Sequence, residues 1–186
     1  GAAFIFHGSI SGISSSDAAD PDGAGPLTGI NADTKLHSNQ TNTEFGSSVA
    51  SAGDINGDGY DDVIIGAYKY DDGQTNEGAA FVFLGSSTGI ASSESGNPDP
   101  ATGIKAFATL QANQAYAEYG RSVAGIGDVN GDGFGDVIVG VRGYDEVDTG
   151  EGAAFVYLGT GAGIESSDTS DPDPVTGIKA VTMLQS

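Results

Sequence analysis

Two nine-residue stretches carry side chains whose types and spacing suit the binding of a hard metal ion. They are DINGDGYDD, which begins at Asp54, and DVNGDGFGD, which begins at Asp128. Each places an oxygen-bearing side chain at its first, third, fifth and ninth positions, around glycines that let the backbone curl tightly. A cation such as Ca²⁺ takes about six to eight oxygen ligands, and three carboxylates with one amide supply most of them.

The pattern therefore predicts two Ca²⁺ sites, each formed within one loop. The predicted ligands of the first site are the side chains of Asp54, Asn56, Asp58 and Asp62 and the main-chain carbonyl of Tyr60. Those of the second site are the side chains of Asp128, Asn130, Asp132 and Asp136 and the carbonyl of Phe134. Because the ligands of each site are local in sequence, the two sites are predicted to act independently.

The residues after each loop distinguish it from an EF-hand, which needs a bidentate Glu at its position 12 and a helix on each side. That position is Ile65 in the first stretch and Val139 in the second. Residues 63–65 and 137–139 are β-branched runs, which are typical of buried strands. Each loop is therefore predicted to join two strands. Plain hairpin turns marked by Asn-Gly and Asp-Gly are the alternative, and the repeated ligand spacing argues against it.

The loops belong to a repeat that runs through the whole chain, since they begin 74 residues apart (128 minus 54). Gly-Ala-Ala-Phe begins at Gly1, Gly78 and Gly152, and Thr-Gly-Ile begins at Thr28, Thr102 and Thr176. Such periodicity indicates a fold built from one module. No segment keeps a helical apolar period for more than about one turn, and 31 glycines interrupt the chain. The module is therefore predicted to be all-β.

Four short strands are predicted in each complete unit. They are Ser47–Ala52, Val63–Ala67, Ala79–Leu84 and Ala106–Gln111, with copies at Ser122–Ile126, Val137–Val141, Ala153–Leu158 and Ala180–Leu184. The third strand of each unit is apolar on both faces, so it has to be covered on both sides. Radially stacked four-stranded sheets provide that cover. A parallel β-helix, the rival repeat fold, uses much shorter coils.

The order of these motifs resembles the FG-GAP repeat of integrin α-chain β-propellers. Phe-Gly-Ser-Ser at 45–48 is followed by the acidic loop, by Val-Ile-Ile-Gly-Ala at 63–67 and by Gly-Ala-Ala-Phe-Val-Phe at 78–83. The resemblance covers nearly the whole chain. It implies an all-β fold, a partial β-propeller of four-stranded antiparallel blades with calcium-binding loops between strands 1 and 2. Tyr119 replaces the opening Phe of the second copy, and Tyr68 and Arg142 replace the Pro of the GAP element.

On this pattern the chain divides into one half blade and two full blades. Residues 1–38 form strands 3 and 4 of a blade, residues 39–112 a full blade and residues 113–186 another. Because strands 3 and 4 occur three times and strands 1 and 2 only twice, no homo-oligomer of the chain would complete every blade. The chain is therefore expected to be part of a longer protein.

Composition limits the partners and the location of the protein. Six basic residues against 26 acidic ones give a net charge of −20, which disfavours binding to nucleic acid or to anionic lipid. No apolar run of about 18 residues is present, so no membrane insertion is expected. There is no Cys to provide disulfide evidence. The predicted Ca²⁺ sites favour an extracellular or cell-surface location, where calcium is abundant.

The sequence predicts a binding module and not an enzyme. It contains no Cys nucleophile, no HExxH, no GxSxG and no phosphate-binding loop. The favoured hypothesis is an adhesion or protein-interaction module in which calcium is structural and the ligand is a protein or a glycan. The alternatives are a carbohydrate-binding or accessory module of a secreted enzyme and a structural repeat of a surface filament or layer. The variable connections Ser9–Leu27, Ser86–Ala101 and Thr160–Val175 are predicted to form the binding face.

Overall fold

The computed structural model of the chain describes residues 1–10, 13, 34–38, 40–90, 106–145, 150–164 and 182–184. These residues form strands joined by turns and loops, without a helix in the described ranges. The strands are β1 (Ala2–Ile5), β2 (Thr34–His37), β3 (Ser48–Gly53), β4 (Asp62–Ala67), β5 (Ala79–Phe83), β6 (Ala108–Leu110), β7 (Tyr119–Gly127), β8 (Asp136–Val141), β9 (Ala153–Tyr157) and β10 (Thr182–Leu184). Within the same ranges, no helix has the length and apolar character needed to cross a membrane.

The strands form three antiparallel sheets in chain order. β1 pairs with β2 in the first sheet, β3 to β6 form the middle sheet, and β7 to β10 form the last sheet. The predicted all-β class and the four-stranded antiparallel blades are confirmed. β7 begins at Tyr119, three residues before the predicted start, because Tyr119 pairs with Val141 and also bridges to Gly78 of the middle sheet.

The middle sheet is covered on both faces at its two central strands, which is why β4 and β5 have no exposed residue. One face packs on the first sheet and the other on the last sheet. The face toward the first sheet carries Ile65, Ala79, Phe81 and Phe83, which cluster with Leu36 and Phe45. The face toward the last sheet carries Ile64, Ala80, Val82 and Leu110, which cluster with Tyr119, Val137 and Val139. In the middle sheet the apolar third strand, β5, is therefore covered on both faces, as its sequence pattern predicts.

Glycines let the middle and last sheets approach each other closely at their interface, called the seam below. The Ser48 hydroxyl donates a hydrogen bond of 2.9 Å to the Gly120 carbonyl. A Cβ on Gly66 would lie 2.0 Å from that same carbonyl oxygen. Gly120 itself has a φ of +77°, and a Cβ there would lie 2.2 Å from the Ala79 carbonyl oxygen. Both positions therefore require glycine.

The outer face of the last sheet carries the same residue types as the buried face of the middle sheet, but it is open. Ile55, Ile64, Val82 and Leu110 are at most 1 % exposed in the middle unit. Their counterparts in the last unit are Val129, which is 56 % exposed, Leu184, which is 52 % exposed, and the half-buried Ile138 and Val156. The difference follows from position, because the last sheet is covered on one side only among the described residues.

One repeated cross-link was not evident from the sequence. The Gln40 amide donates to the Asp71 carbonyl at 2.7 Å and accepts from the Asp71 N–H at 2.8 Å. Gln114 makes the same pair of hydrogen bonds with the backbone of Asp145. Each glutamine thus connects the segment before the first strand of its sheet to the turn after the second strand.

Candidate metal centre

The two acidic loops occupy equivalent places in the middle and last sheets. Loop 1 (Asp54–Asp62) joins β3 to β4, and loop 2 (Asp128–Asp136) joins β7 to β8. A register shift precedes each loop, between Ser51 and Gly53 and between Gly125 and Gly127. Such a bulge bends the end of the strand and redirects the chain into the loop. The fourth and sixth residues of each loop are glycines in the left-handed region, namely Gly57, Gly59, Gly131 and Gly133.

In loop 1 the side chains of the first, third and fifth positions turn toward the interior of the loop. The Asp58 N–H lies 3.0 Å from Asp54 Oδ1 and 3.1 Å from Asn56 Oδ1, so these two oxygens converge on one amide. Asp54 Oδ2 accepts from the Gly59 N–H at 2.8 Å. Asp58 Oδ1 accepts from the Tyr60 N–H at 3.0 Å. The loop's own amides therefore hold three of the predicted ligand side chains close together.

Loop 2 repeats this arrangement. The Asp132 N–H lies 3.1 Å from both Asp128 Oδ1 and Asn130 Oδ1. Asp128 Oδ2 accepts from the Gly133 N–H at 2.8 Å. This hydrogen bond is the largest cause of a lowered pKa for the Asp128 carboxyl, because amide donors favour the ionised form. The backbone amides of loop 2 therefore favour the ionised form of the Asp128 carboxyl.

The ninth position of each loop is buried and serves as an anchor. Asp62 has no exposed surface, and its two oxygens accept from the backbone amides of Ile55 at 2.9 Å and Gly85 at 2.7 Å. Burial raises the pKa of Asp62, while these two amides act in the opposite direction. The equally buried Asp136 accepts from the amides of Val129 and Gly159. Each anchor thus ties the start of its loop to the second residue after the third strand.

The donor set suits a hard divalent cation. In each loop two carboxylate side chains and one amide side chain lie together, and neither loop contains the His or Cys that would favour a transition metal. No group of three or more His, Cys, Asp and Glu side chains is gathered for a metal within the described ranges. The side chains that lie together include only two acids in each loop. The third position is Asn, and the carboxylate at the ninth position accepts hydrogen bonds from backbone amides instead. The structure brings the side chains of the first, third and fifth positions together, and the carboxylate of the ninth position is held by backbone amides.

The two loops also touch each other across the seam. The Gly135 N–H of loop 2 donates to the Asp54 carbonyl of loop 1 at 2.8 Å. The Phe134 ring lies against Gly57, where a Cβ would come within 2.6 Å of the ring. A Cβ on Gly135 would lie 2.8 Å from the Ala52 carbonyl oxygen. The ligand spacing within each loop does not reveal this contact, because it depends on how the two units stack.

Comparison with known proteins points to one family for both units. The family model described as FG-GAP repeat matches residues 45–83 and 119–157, which include both loops. Integrin alpha-5 of Xenopus laevis is 32% identical over 132 residues, covering 71% of this chain and 12% of that protein. Integrin alpha-IIb of Mus musculus is 33% identical over 139 residues, covering 70% and 12%. Integrin alpha-PS2 of Drosophila melanogaster is 34% identical over 127 residues, covering 64% and 8%. The matches span about a tenth of the length of these relatives.

Proposed function

Because this chain is built from repeats of the FG-GAP family, we propose that it is a β-propeller segment that binds Ca²⁺ in loops 1 and 2 and serves as an adhesion or protein-interaction module outside the cell. Its blades are assigned to residues 1–38 (strands 3 and 4 only), 39–112 and 113–186. The integrin α-chains among its relatives support the interaction role. An enzymatic role is not part of the proposal.

The observation that carries the calcium assignment is that oxygens of the first and third side chains meet at the N–H of the fifth residue in both loops. The third side chain also donates to the carboxylate of the fifth. The assigned ligands are Asp54, Asn56, Asp58, Asp62 and the Tyr60 carbonyl in loop 1, and Asp128, Asn130, Asp132, Asp136 and the Phe134 carbonyl in loop 2. Bound Ca²⁺ supplies positive charge where these carboxylates would otherwise repel one another. At the ninth position a carboxylate oxygen that accepts an amide hydrogen bond keeps a second lone pair, so Asp62 and Asp136 can serve as both anchor and ligand.

The role of calcium here is structural. Each loop connects the first two strands of a sheet, and its anchor binds the backbone after the third strand. A filled loop therefore fixes three strands relative to one another. With a net charge of −20, the chain also gains from neutralisation of carboxylates that lie close together.

Two bound Ca²⁺ per chain are expected in an isothermal calorimetric titration. Asp58→Ala and Asp132→Ala are each expected to reduce the number to one, because each removes a converging carboxylate from one loop. Asp61→Ala is the matched control: Asp61 is an exposed acid of loop 1 that is not a predicted ligand, so this variant should still bind two. Binding of no Ca²⁺ by the wild-type chain would contradict the calcium assignment.

The partner is proposed to bind the connections between the third and fourth strands, which vary between units while the strands and loops repeat. These connections lie mostly outside the described residues. Replacing Ser86–Ala101 and Thr160–Val175 by Gly/Ser linkers of equal length should abolish binding to immobilised extracellular proteins or glycans. Retention of two Ca²⁺ per chain would show that the variant is folded. Binding that survives the replacement would place the partner site elsewhere.

The open face of the last sheet is proposed to seat a further blade. Its half-buried and exposed residues correspond to those of the middle sheet that pack under the last sheet. Ser122 corresponds to Ser48, whose hydroxyl binds the backbone of the following sheet across the seam. A blade with the same aromatic-glycine start would therefore fit this face by contacts that already occur once in the chain.

A further inference from the structure

We propose that loops 1 and 2 are coupled through the seam, so that Ca²⁺ in either loop raises the affinity of the other loop for Ca²⁺. This inference rests on the proposed calcium function and replaces the expectation of independent sites. Phe134 and Gly135 are the positioning residues that couple the loops. They belong to loop 2, yet both contact loop 1.

The first connection is a single peptide group. The Phe134 carbonyl, assigned as a ligand in loop 2, and the Gly135 N–H are two ends of the same planar unit, which cannot bend independently. That N–H donates to the main-chain carbonyl of Asp54 at 2.8 Å, and the carboxylate of Asp54 is the first ligand of loop 1. A Phe134 carbonyl held at a cation therefore fixes the direction of the N–H that positions Asp54. The cation also polarises the peptide and strengthens its donor end.

The second connection is the side chain of the same residue. The Phe134 ring lies against Gly57, which is in the left-handed region with a φ of +73° and stands between Asn56 and Asp58. The ring limits how far this part of loop 1 can move from the conformation in which both neighbours turn inward. Ordering of Phe134 in loop 2 thus reduces the conformational freedom that loop 1 would lose when it binds its own ion.

Loop 1 serves as a comparison for loop 2. Among the described residues no equivalent loop comes before loop 1 in the chain, so loop 1 has no such loop to contact. Tyr60 corresponds to Phe134 and is 42 % exposed. Asp61 corresponds to Gly135 and is exposed. A Cβ at Gly135 would meet the Ala52 carbonyl oxygen at 2.8 Å, whereas loop 1 accommodates a full Asp side chain at its exposed position 61. The contact across the seam therefore explains why the eighth position is Gly in loop 2 and Asp in loop 1.

The test is a thermodynamic cycle on the whole chain, with Ca²⁺ affinities from calorimetric titration. Asp132→Ala disables loop 2 and is expected to weaken Ca²⁺ binding by loop 1 about fivefold or more. Asp58→Ala disables loop 1 and should weaken loop 2 by the same factor, since coupling between two binding sites is reciprocal. Phe134→Ala removes the ring contact with Gly57 and keeps the peptide contact with Asp54, so it should lower this factor in both directions. Asp61→Ala, at an exposed position of loop 1 that is not an assigned ligand, should leave it unchanged.

A second variant protects the test against a general loss of structure. Phe134→Leu keeps an apolar side chain on the seam but lacks the ring, and it should give a coupling factor between those of wild type and Phe134→Ala. If Asp132→Ala and Asp58→Ala leave the remaining site within roughly twofold of its wild-type affinity, the coupling is overturned while calcium binding stands. If Phe134→Ala binds two Ca²⁺ with the full coupling factor, the connection through the Phe134 ring is wrong. Absence of any Ca²⁺ binding would instead refute the proposed function itself.

Discussion

Removal of Ca²⁺ with a chelator is expected to lower the free energy of unfolding of this chain by about 5 kcal/mol. A ligand that binds only the native state stabilises it by about 2.7 kcal/mol per site at 100 times its Kd, and two sites are proposed. Such a loss is comparable with the whole stability of many domains. The physical reason lies in the two converging carboxylates of each loop, which repel each other once no cation balances them.

The measurement is urea denaturation with Ca²⁺ at about 100 times its Kd and again in excess chelator. The double variant Asp58→Ala/Asp132→Ala is the control, because neither of its loops keeps both converging carboxylates. Its unfolding curve should be the same in both media. If the wild-type chain unfolds at the same urea concentration in both media, calcium does not have the proposed structural role.

Substitution of Gly66 by Ala is expected to destabilise the chain by about 3 kcal/mol, the upper part of the usual range for overpacking. The added Cβ would lie 2.0 Å from the Gly120 carbonyl oxygen and 2.3 Å from the Ser48 hydroxyl oxygen. The first of these atoms belongs to the backbone of the last sheet, so the two sheets would have to separate. The variant should therefore lose the Ser48 hydrogen bond across the seam as well.

The matched control is Gly140→Ala at the same strand position of the last sheet. Its Cβ would come closest to the Ser122 hydroxyl at 2.4 Å and would meet no backbone atom closer than 3.7 Å. The hydroxyl can rotate away, so Gly140→Ala should stay within about 1 kcal/mol of wild type. Both free energies can be read from urea denaturation. If both variants lose the same free energy of unfolding, the cost of Gly66→Ala does not come from the position of Gly66 at the seam.

The sheets could be predicted from the sequence because their causes are local or periodic. The apolar runs at 79–84 and 153–158 predicted strands that need cover on both faces, and the middle sheet has that cover. The repeat placed both loops between the first and second strands, where the structure has them. Strand ends depend on more than the local pattern. β7 begins three residues before its predicted start because Tyr119 bridges to Gly78 of another sheet, an interaction that no local pattern encodes.

The sites themselves could be predicted only in part. Ligand spacing indicates which side chains lie together in each loop, but it does not indicate that the ninth carboxylate is buried and held by two backbone amides. Asp62 finds one of those amides at Gly85, which is distant in sequence and becomes a neighbour only when β4 and β5 pair. The contact of Phe134 with Gly57 depends in the same way on how whole units stack. The glycine at position 135 was the one available signal, since only loop 2 has a glycine there.

The difference between Asp61 and Gly135 also means that the two units are not interchangeable parts. An engineer who lengthened this protein by inserting a second copy of residues 39–112 directly after the first would place an aspartate where the preceding strand leaves no room for a Cβ. A copy of residues 113–186 brings its own glycine and can follow either unit. The order in which these near-identical modules can be joined is therefore restricted. The deciding residue is Gly135 in one unit and Asp61 in the other, and it lies next to a proposed ligand without being one.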